Sequence, residues 1–389
     1  MAEPAASTPR PRSLEIYAGL MSGTSLDGVD GVLVGFQPDG RLDHPLATAS
    51  LPMPEVLRQR LSALQHPAHD ELAQAAVAAN ELATLYRDCV QALLGKSGLS
   101  ASAITAIGAH GQTIRHAPAH GYSLQILNAA QLAAETGIDV VHDLRSADIA
   151  VGGQGAPLMP AFHAHVFAGM PGRYGILNLG GIANLSILDN LACPSRITGF
   201  DTGPANTLLD LWSEHHRQTR FDDRGQWAAS GRVIPELLAA LLQDPYFALP
   251  PPKSTGRDLF NLSWLMQHLG EAHPHAPVDV QATLTALTAE STATAIRGQR
   301  LSTVYVCGGG AQNHHLLDRI QAAVGPDTRI QPTTALGIHP QMVEATGFAW
   351  LARQRLHHQP IELQSITGAR QTAILGALHK APPPVVAAT

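Results

Sequence analysis

The 389-residue chain is poor in cysteine and in charge and has no long apolar run. Its three cysteines, Cys89, Cys193 and Cys307, are too few and too scattered for a CxxC metal knuckle or a disulfide framework, which points to a reducing compartment. Charged residues make up only 14% while 45% are hydrophobic, a balance that excludes disordered and coiled-coil classes and leaves a folded globular protein. The net charge of −6 gives no general basic field, so nucleic acid is not expected as a partner. No segment approaches the ~18–20 continuous apolar residues of a membrane span. Residues 1–13, with Pro4, Pro9 and Pro11, lack the apolar core of a secretory signal and read as a disordered arm. These absences together place the chain in the cytoplasm.

Several motifs are missing too. No GxGxxG occurs between a strand and a helix, and there is no GxSxG elbow and no HExxH, so dehydrogenase, α/β-hydrolase and zinc-protease readings lose their main support. Leu94-Gly95-Lys96-Ser97 imitates the end of a Walker loop, but Val90 stands where its first glycine belongs, and the segment reads as a helix C-terminus. The twenty histidines suggest a metal. Their spacing does not: His163 and His165 would point to different sides of a helix, His273 and His275 flank Pro274, and His314–His315 and His357–His358 are adjacent pairs. Structural or solvated histidine is the reading for these.

What is present begins with length, which implies two or three domains and hence a cleft between them. From 14 to 36 two apolar runs flank SGTSLDG, a strand, a tight loop and a strand. A helix is expected over about 70–94, where Leu72, Ala76, Ala79, Leu82, Leu85, Cys89 and Leu93 recur at helical spacing. Strands and helices then alternate up to a glycine- and proline-rich segment, 150–160, where a boundary is expected. A second hairpin pattern follows, YGILNLGG, NLSIL and RITGFDTG, with Gly180, Gly181 and Gly203 at its turns. Helical spacing returns at 233–243, 279–298, 312–324 and 341–357, around a buried strand that runs into Gly308. The expectation is an α/β protein of two parts: 14–150, with a helix from the C-terminal part as a candidate to complete it, and 151–380, with a flexible tail over 381–389.

Four segments carry chemistry. In Gly23, Thr24, Ser25, Leu26, Asp27, Gly28, Val29 and Asp30, small residues let backbone N–H groups approach an anion, two hydroxyls donate, and Asp27 or Asp30 can hold a divalent cation through water, Asp27 being the one carried forward. The bland alternative is an ordinary hairpin turn. Asp201, between a strand end and a helix opened by Pro204, is placed like a general base, although such an acid is also often an N-cap. Gly308, Gly309, Gly310 and Ala311 leave room for a flat base or ribose against the backbone. His110, in GAHGQT with Gln112 and Thr113, ends an apolar strand where a ligand could be met; the competing reading is a histidine that orders its own loop.

In order along the chain stand GLMSGTSLDGVD, GAHGQT, DLRSADIAVGGQGAPLMP, NLGGIANLS, GFDTGPANTLLD, STGRDLF and VYVCGGGAQNHHLL. Through these motifs, over about residues 14–378, the sequence resembles the anhydro-N-acetylmuramic acid kinases. The resemblance implies the sugar kinase/actin/Hsp70 ATPase fold, two related ribonuclease H-like α/β domains around a central cleft. It also implies ATP- and Mg2+-dependent phosphorylation of O6 of 1,6-anhydro-N-acetylmuramic acid with hydrolytic opening of the anhydro ring, in peptidoglycan recycling, by a homodimer. Carried onto this sequence, residues 23–30 take the first phosphate-binding position, Gly180, Gly181 and Gly203 the second, and Gly308 to Ala311 the adenosine loop. Asp201 takes the place of the base that activates water. Glu344 matches a second acid near the sugar, and Arg145, Asp148, His110, Gln112 and Thr113 fall on the substrate side. Thr346 and Gly347 depart from a segment that is usually richer in alanine, and a mid-helix glycine is expected to loosen the helix carrying Glu344, at ~1 kcal/mol. Competing readings are a sugar or acetate kinase of the same fold without ring opening, a non-catalytic sugar-sensing ATPase, and a histidine-based zinc hydrolase.

Overall fold

The computed structural model describes residues 14–383 apart from 24, 68, 169, 171, 191–195, 252 and 271–273. The arm 1–13, Thr24, Cys193, His273 and the end of the tail lie outside the described residues. The first half opens with β1 (Glu15–Met21), β2 (Gly28–Phe36) and β3 (Leu42–Pro52). They are joined antiparallel, and β4 (Ala106–Ala109) runs parallel to β1. The hairpin β5 (Gln112–Ala117) and β6 (Tyr122–Ile126) stands apart as its own small sheet, and β7 (Val140–His142) pairs parallel with β4. The second half repeats the plan. β8 (Arg173–Leu179), β9 (Ile182–Asp189) and β10 (Arg196–Pro204) form an antiparallel meander, and β11 (Thr303–Cys307) and β12 (Arg329–Pro332) add parallel strands beside β8. The order β3-β2-β1-β4-β7 thus recurs as β10-β9-β8-β11-β12, and β13 (Ala377–His379) caps β7 at the end of the chain. This is a duplicated α/β fold.

Each hairpin follows from alternating or continuous apolar runs closed by small residues. The helix Glu71–Ser97 between β3 and β4 covers the first sheet with Leu82, Tyr86, Cys89, Val90 and Leu93, all buried, and stops at Gly98 in the left-handed conformation. In the second half, Pro277–Ile296 and His314–Val324 flank β11 and cover its sheet. Cys89 and Cys307 are buried and unpaired.

Two helices cross between the halves. Met159–Val166 packs on β9 and β10, while Val343–Leu356 returns to β1 and β4 of the first sheet. The returning helix approaches so closely that a Cβ at Gly19 would run into the Ala345 carbonyl oxygen, and one at Gly108 into that of Phe348. Gly347 is also a packing residue: the helix is continuous through it, and a Cβ there would strike Met159. Glycine here brings helices together rather than loosening one.

Candidate active site

Asp201 is aimed by a break in its strand. In the β9–β10 ladder it faces Asn184, and the register then slips between Asp201 and Gly203, a bulge of the kind that redirects a side chain. Gly203 therefore lies inside β10 rather than at a turn, with φ +151 and its Cα packed toward Phe247 and Ser291. The segment 253–255 clamps Asp201. Its N–H donates to the Lys253 carbonyl (3.0 Å), its own carbonyl accepts from the Tyr246 hydroxyl (2.7 Å), and carboxylate Oδ2 accepts the Thr255 N–H (3.0 Å). Desolvation pushes the Asp201 carboxyl up to about 7, with the Thr255 N–H pulling the other way. A carboxylate so tuned can take a proton near neutrality.

A cavity of about 180 Å³ opens beside it, lined by Arg145, Asn184, Asp201, Ser254, Glu344 and Phe348 among others. Glu344 stands in the first turn of the Val343–Leu356 helix, where Asn178 Nδ2 donates to its Oε1 (3.2 Å). Burial raises its carboxyl, and Arg145 works against that. Arg145 donates from Nη1 to the Gly155 carbonyl (2.7 Å) and from Nη2 to His110 Nε2 (2.9 Å). Burial draws its guanidinium down to about 10, opposed by Glu344 and Asp148. One cation and two acids from both halves of the chain thus share a small pocket.

Three glycine turns border this region. In the β1–β2 turn the Leu26 N–H donates to the Gly23 carbonyl (3.2 Å), and the Asp27 carbonyl accepts from Met53 (2.9 Å). Asp27 is exposed, whereas Asp30 accepts from the Ser50 hydroxyl (2.5 Å) and is raised by burial. The β8–β9 turn is braced by the start of the Asn206–Arg217 helix: N–H groups of Ala205 and Asn206 donate to Gly181 and Gly180 (3.0 Å each). Gly308, at φ +80, lies so close to Leu179 and Asn178 that a Cβ would collide with the Asn178 amide oxygen. From the second turn's helix, Asp210 faces the first turn. Burial and the charge of Asp27 push its carboxyl up to about 8, and Arg257 opposes this.

Comparison with known proteins decides which lineage this pocket belongs to. The family model for anhydro-N-acetylmuramic acid kinase matches residues 15–381. Anhydro-N-acetylmuramic acid kinase of Variovorax paradoxus (strain S110) is 51% identical over 375 residues, 94% of this chain and 99% of that one. The enzyme of the same name from Bordetella petrii is 51% identical over 383 residues, covering 97% and 98%. The chain belongs to the anhydro-N-acetylmuramic acid kinase family. The duplicated sheets are therefore the fold of a kinase family.

Among the residues that the sequence singled out, Asp201, Glu344 and Arg145 come together around one cavity. The others sit behind it. His110, 6% exposed, uses both ring nitrogens, Nδ1 on the Ser22 carbonyl (2.9 Å) and Nε2 on Arg145. Gln112 is buried and donates to the Gly23 carbonyl (3.1 Å). Thr113 belongs to the β5–β6 hairpin, where its hydroxyl accepts from Gln125 (3.0 Å). Asp148 is fully buried, and both its oxygens are engaged, by the Gly155 N–H (2.7 Å) and the Thr367 hydroxyl (2.8 Å). Asn178, Asn184, Ser254, Asp210 and Arg257 did not stand out in the sequence. The first two lie in NLGGIANLS, Asp210 ends GFDTGPANTLLD, and Ser254 and Arg257 lie in STGRDLF, so the signal was the motif and not the residue type.

Proposed function

We propose that the chain is an ATP-dependent kinase that phosphorylates O6 of 1,6-anhydro-N-acetylmuramic acid while water opens the anhydro ring, giving N-acetylmuramic acid 6-phosphate and ADP. The observation that carries this reading is Asp201, a carboxylate raised to about 7 on the wall of a pocket that also holds Arg145 and Glu344. Phosphoryl transfer to an existing hydroxyl asks mainly for orientation and charge neutralisation. Ring opening asks in addition for a base beside the anomeric carbon, and Asp201 supplies it. In this scheme a water gives one proton to Asp201 Oδ1, the oxygen that Thr255 does not hold, and its oxygen bonds to C1. The C1–O6 bond breaks, O6 attacks the γ-phosphorus, and ADP leaves. Thr255 N–H holds one carboxylate oxygen and leaves the other for the water. Arg145 faces the sugar's lactyl carboxylate or ring oxygens, and Glu344 stands across from it.

The turn residues Gly23, Ser25, Leu26, Asp27 and Gly28, with Gly180, Gly181 and Gly308 to Ala311, hold the nucleotide, and Val29 and Asp30 open the strand that follows. Among the described residues no group of three or more His, Cys, Asp or Glu side chains converges as a metal site. The charge of Asp27 reaches Asp210, and Asp27, a hard oxygen donor in the first turn, would suit Mg2+ carried in on the phosphates and contacted through water. The ion would neutralise phosphate charge. Among the described residues no helix is long and apolar enough to cross a membrane, and we place the reaction in the cytoplasm, in peptidoglycan recycling, by a homodimer whose mass light scattering would read. Incubation with ATP, Mg2+ and the anhydro-sugar followed by mass spectrometry tests the reading. A product heavier by one phosphate and one water supports it, and a gain of phosphate alone leaves a kinase without ring opening.

A further inference from the structure

The GAHGQT segment touches both halves of the proposed reaction without lining the cavity. His110 Nδ1 lies 2.9 Å from the carbonyl oxygen of Ser22, the residue before the first phosphate turn, and its Nε2 lies 2.9 Å from Arg145 Nη2. A carbonyl can only accept and a guanidinium can only donate, so a single protonation state satisfies both contacts: the neutral ring with its proton on Nδ1. Burial and the Arg145 charge favour that neutral ring. Two residues on, Gln112 Nε2 holds the next carbonyl, that of Gly23 (3.1 Å). Ser22 is itself fixed, its hydroxyl donating to the Gly111 carbonyl and meeting Tyr86 (3.0 Å each). On the other side, Arg145 completes its restraint at the Gly155 carbonyl, and its Nε is buried without a partner. The ring face of His110 rests near Phe348 of the cavity wall (5.0 Å between centroids).

We infer that His110 is a positioning residue that links the nucleotide's phosphate turn to Arg145 in the sugar pocket, so that occupation of one site favours occupation of the other. This rests on the reading of the two sites given above. The phosphate turn and Arg145 share one rigid ring between them, and a movement of the Ser22 carbonyl on nucleotide binding is passed to the guanidinium through two hydrogen bonds. Any such linkage is reciprocal.

The two nitrogens can be removed separately. The amide of His110→Asn reaches the Nδ1 position and keeps the Ser22 contact but loses Arg145; the amide of His110→Gln reaches the Nε2 position and keeps an acceptor for Arg145 but loses Ser22. Binding of 1,6-anhydro-N-acetylmuramic acid is measured by calorimetry on the full chain, alone and with a saturating non-hydrolysable ATP analogue. The wild-type protein is expected to bind the sugar at least about fivefold more tightly with the analogue, the lower end of ordinary coupling. Both variants are expected to fall below about twofold enhancement. Only His110→Asn should also weaken the sugar without nucleotide, by about tenfold, the loss of a hydrogen bond to a charged group. Thermal melting confirms that each variant is folded; should one fail to fold, the other variant and the wild-type enhancement still decide. Equal sugar affinity of wild type with and without the analogue, or full enhancement in either variant, overturns the inference. Absence of sugar binding to wild type instead overturns the proposed substrate.

Discussion

Replacing Asp201 by Asn should cut turnover by orders of magnitude and at the same time stabilise the folded protein. The carboxyl is raised from 3.8 to about 7 by desolvation. A group whose folded pKa lies above its unfolded value costs nothing at pH below the unfolded value, where both states are protonated. The cost then grows with pH and is complete above the folded value. Three pH units correspond to an upper figure of about 4 kcal/mol at pH 8, at about 1.4 kcal/mol per unit. Because part of the carboxyl still meets the water of the cavity, on the order of 2 kcal/mol is the working figure. Asn keeps an acceptor for the Thr255 N–H and removes the buried charge, so it should recover that amount. The assay is thermal melting of both proteins at pH 4.5 and pH 8, with the anhydro-sugar turnover measured alongside. The variant should melt a few degrees higher at pH 8 and only about a quarter as much higher at pH 4.5, just above the unfolded value, while turnover drops by about 10²–10⁴, the usual contribution of a general base. A melting difference independent of pH, or a variant with near-normal turnover, would refute the assignment of Asp201 as a desolvated base.

Other outcomes follow from the same geometry. For the wild-type enzyme kcat/KM should fall about tenfold per pH unit below about pH 7, as Asp201 takes up its proton, in a profile measured from pH 5 to 8. Gly19→Ala places a methyl against the Ala345 carbonyl, pushes back the helix carrying Glu344, and should lower the melting temperature by several degrees, with the sugar KM rising. Asp148→Ala leaves the Gly155 N–H without its acceptor in a buried site and the Thr367 hydroxyl with the Leu363 carbonyl alone; it should cost about 1–3 kcal/mol in urea unfolding, and a loss confined to sugar KM with unchanged stability would return Asp148 to the substrate's side.

Much of the fold was legible because it is written locally. Both opening hairpins are apolar runs closed by glycine, and the long helix shows its period in Leu82, Leu85, Cys89 and Leu93. β3 was not legible: its His44, Pro45 and Thr48 are an edge strand's residues, partly exposed, without clean alternation. The destination of the Val343–Leu356 helix was hidden for a different reason. It is buried nearly all round, so no stripe marks the face that meets β1, and Gly347 reads as a weak point until its neighbour Met159 is known. At the site, Asp201 was visible from its place between strand and helix, but its raised pKa comes from burial in the folded chain, and the Thr255 N–H that opposes it lies more than fifty residues on. His110 could be singled out as a polar residue at a strand end. Which of its nitrogens served Ser22 and which Arg145 is a matter of packing between distant segments.

The most direct test of ring opening is the source of the new oxygen. The reaction is run in 18O-labelled water with ATP, Mg2+ and 1,6-anhydro-N-acetylmuramic acid, quenched early, and analysed by mass spectrometry with unlabelled N-acetylmuramic acid 6-phosphate alongside to measure passive exchange. One labelled oxygen in the sugar portion, and none in the transferred phosphate, is the predicted result. An unlabelled sugar phosphate, or label appearing only in inorganic phosphate, would contradict the account.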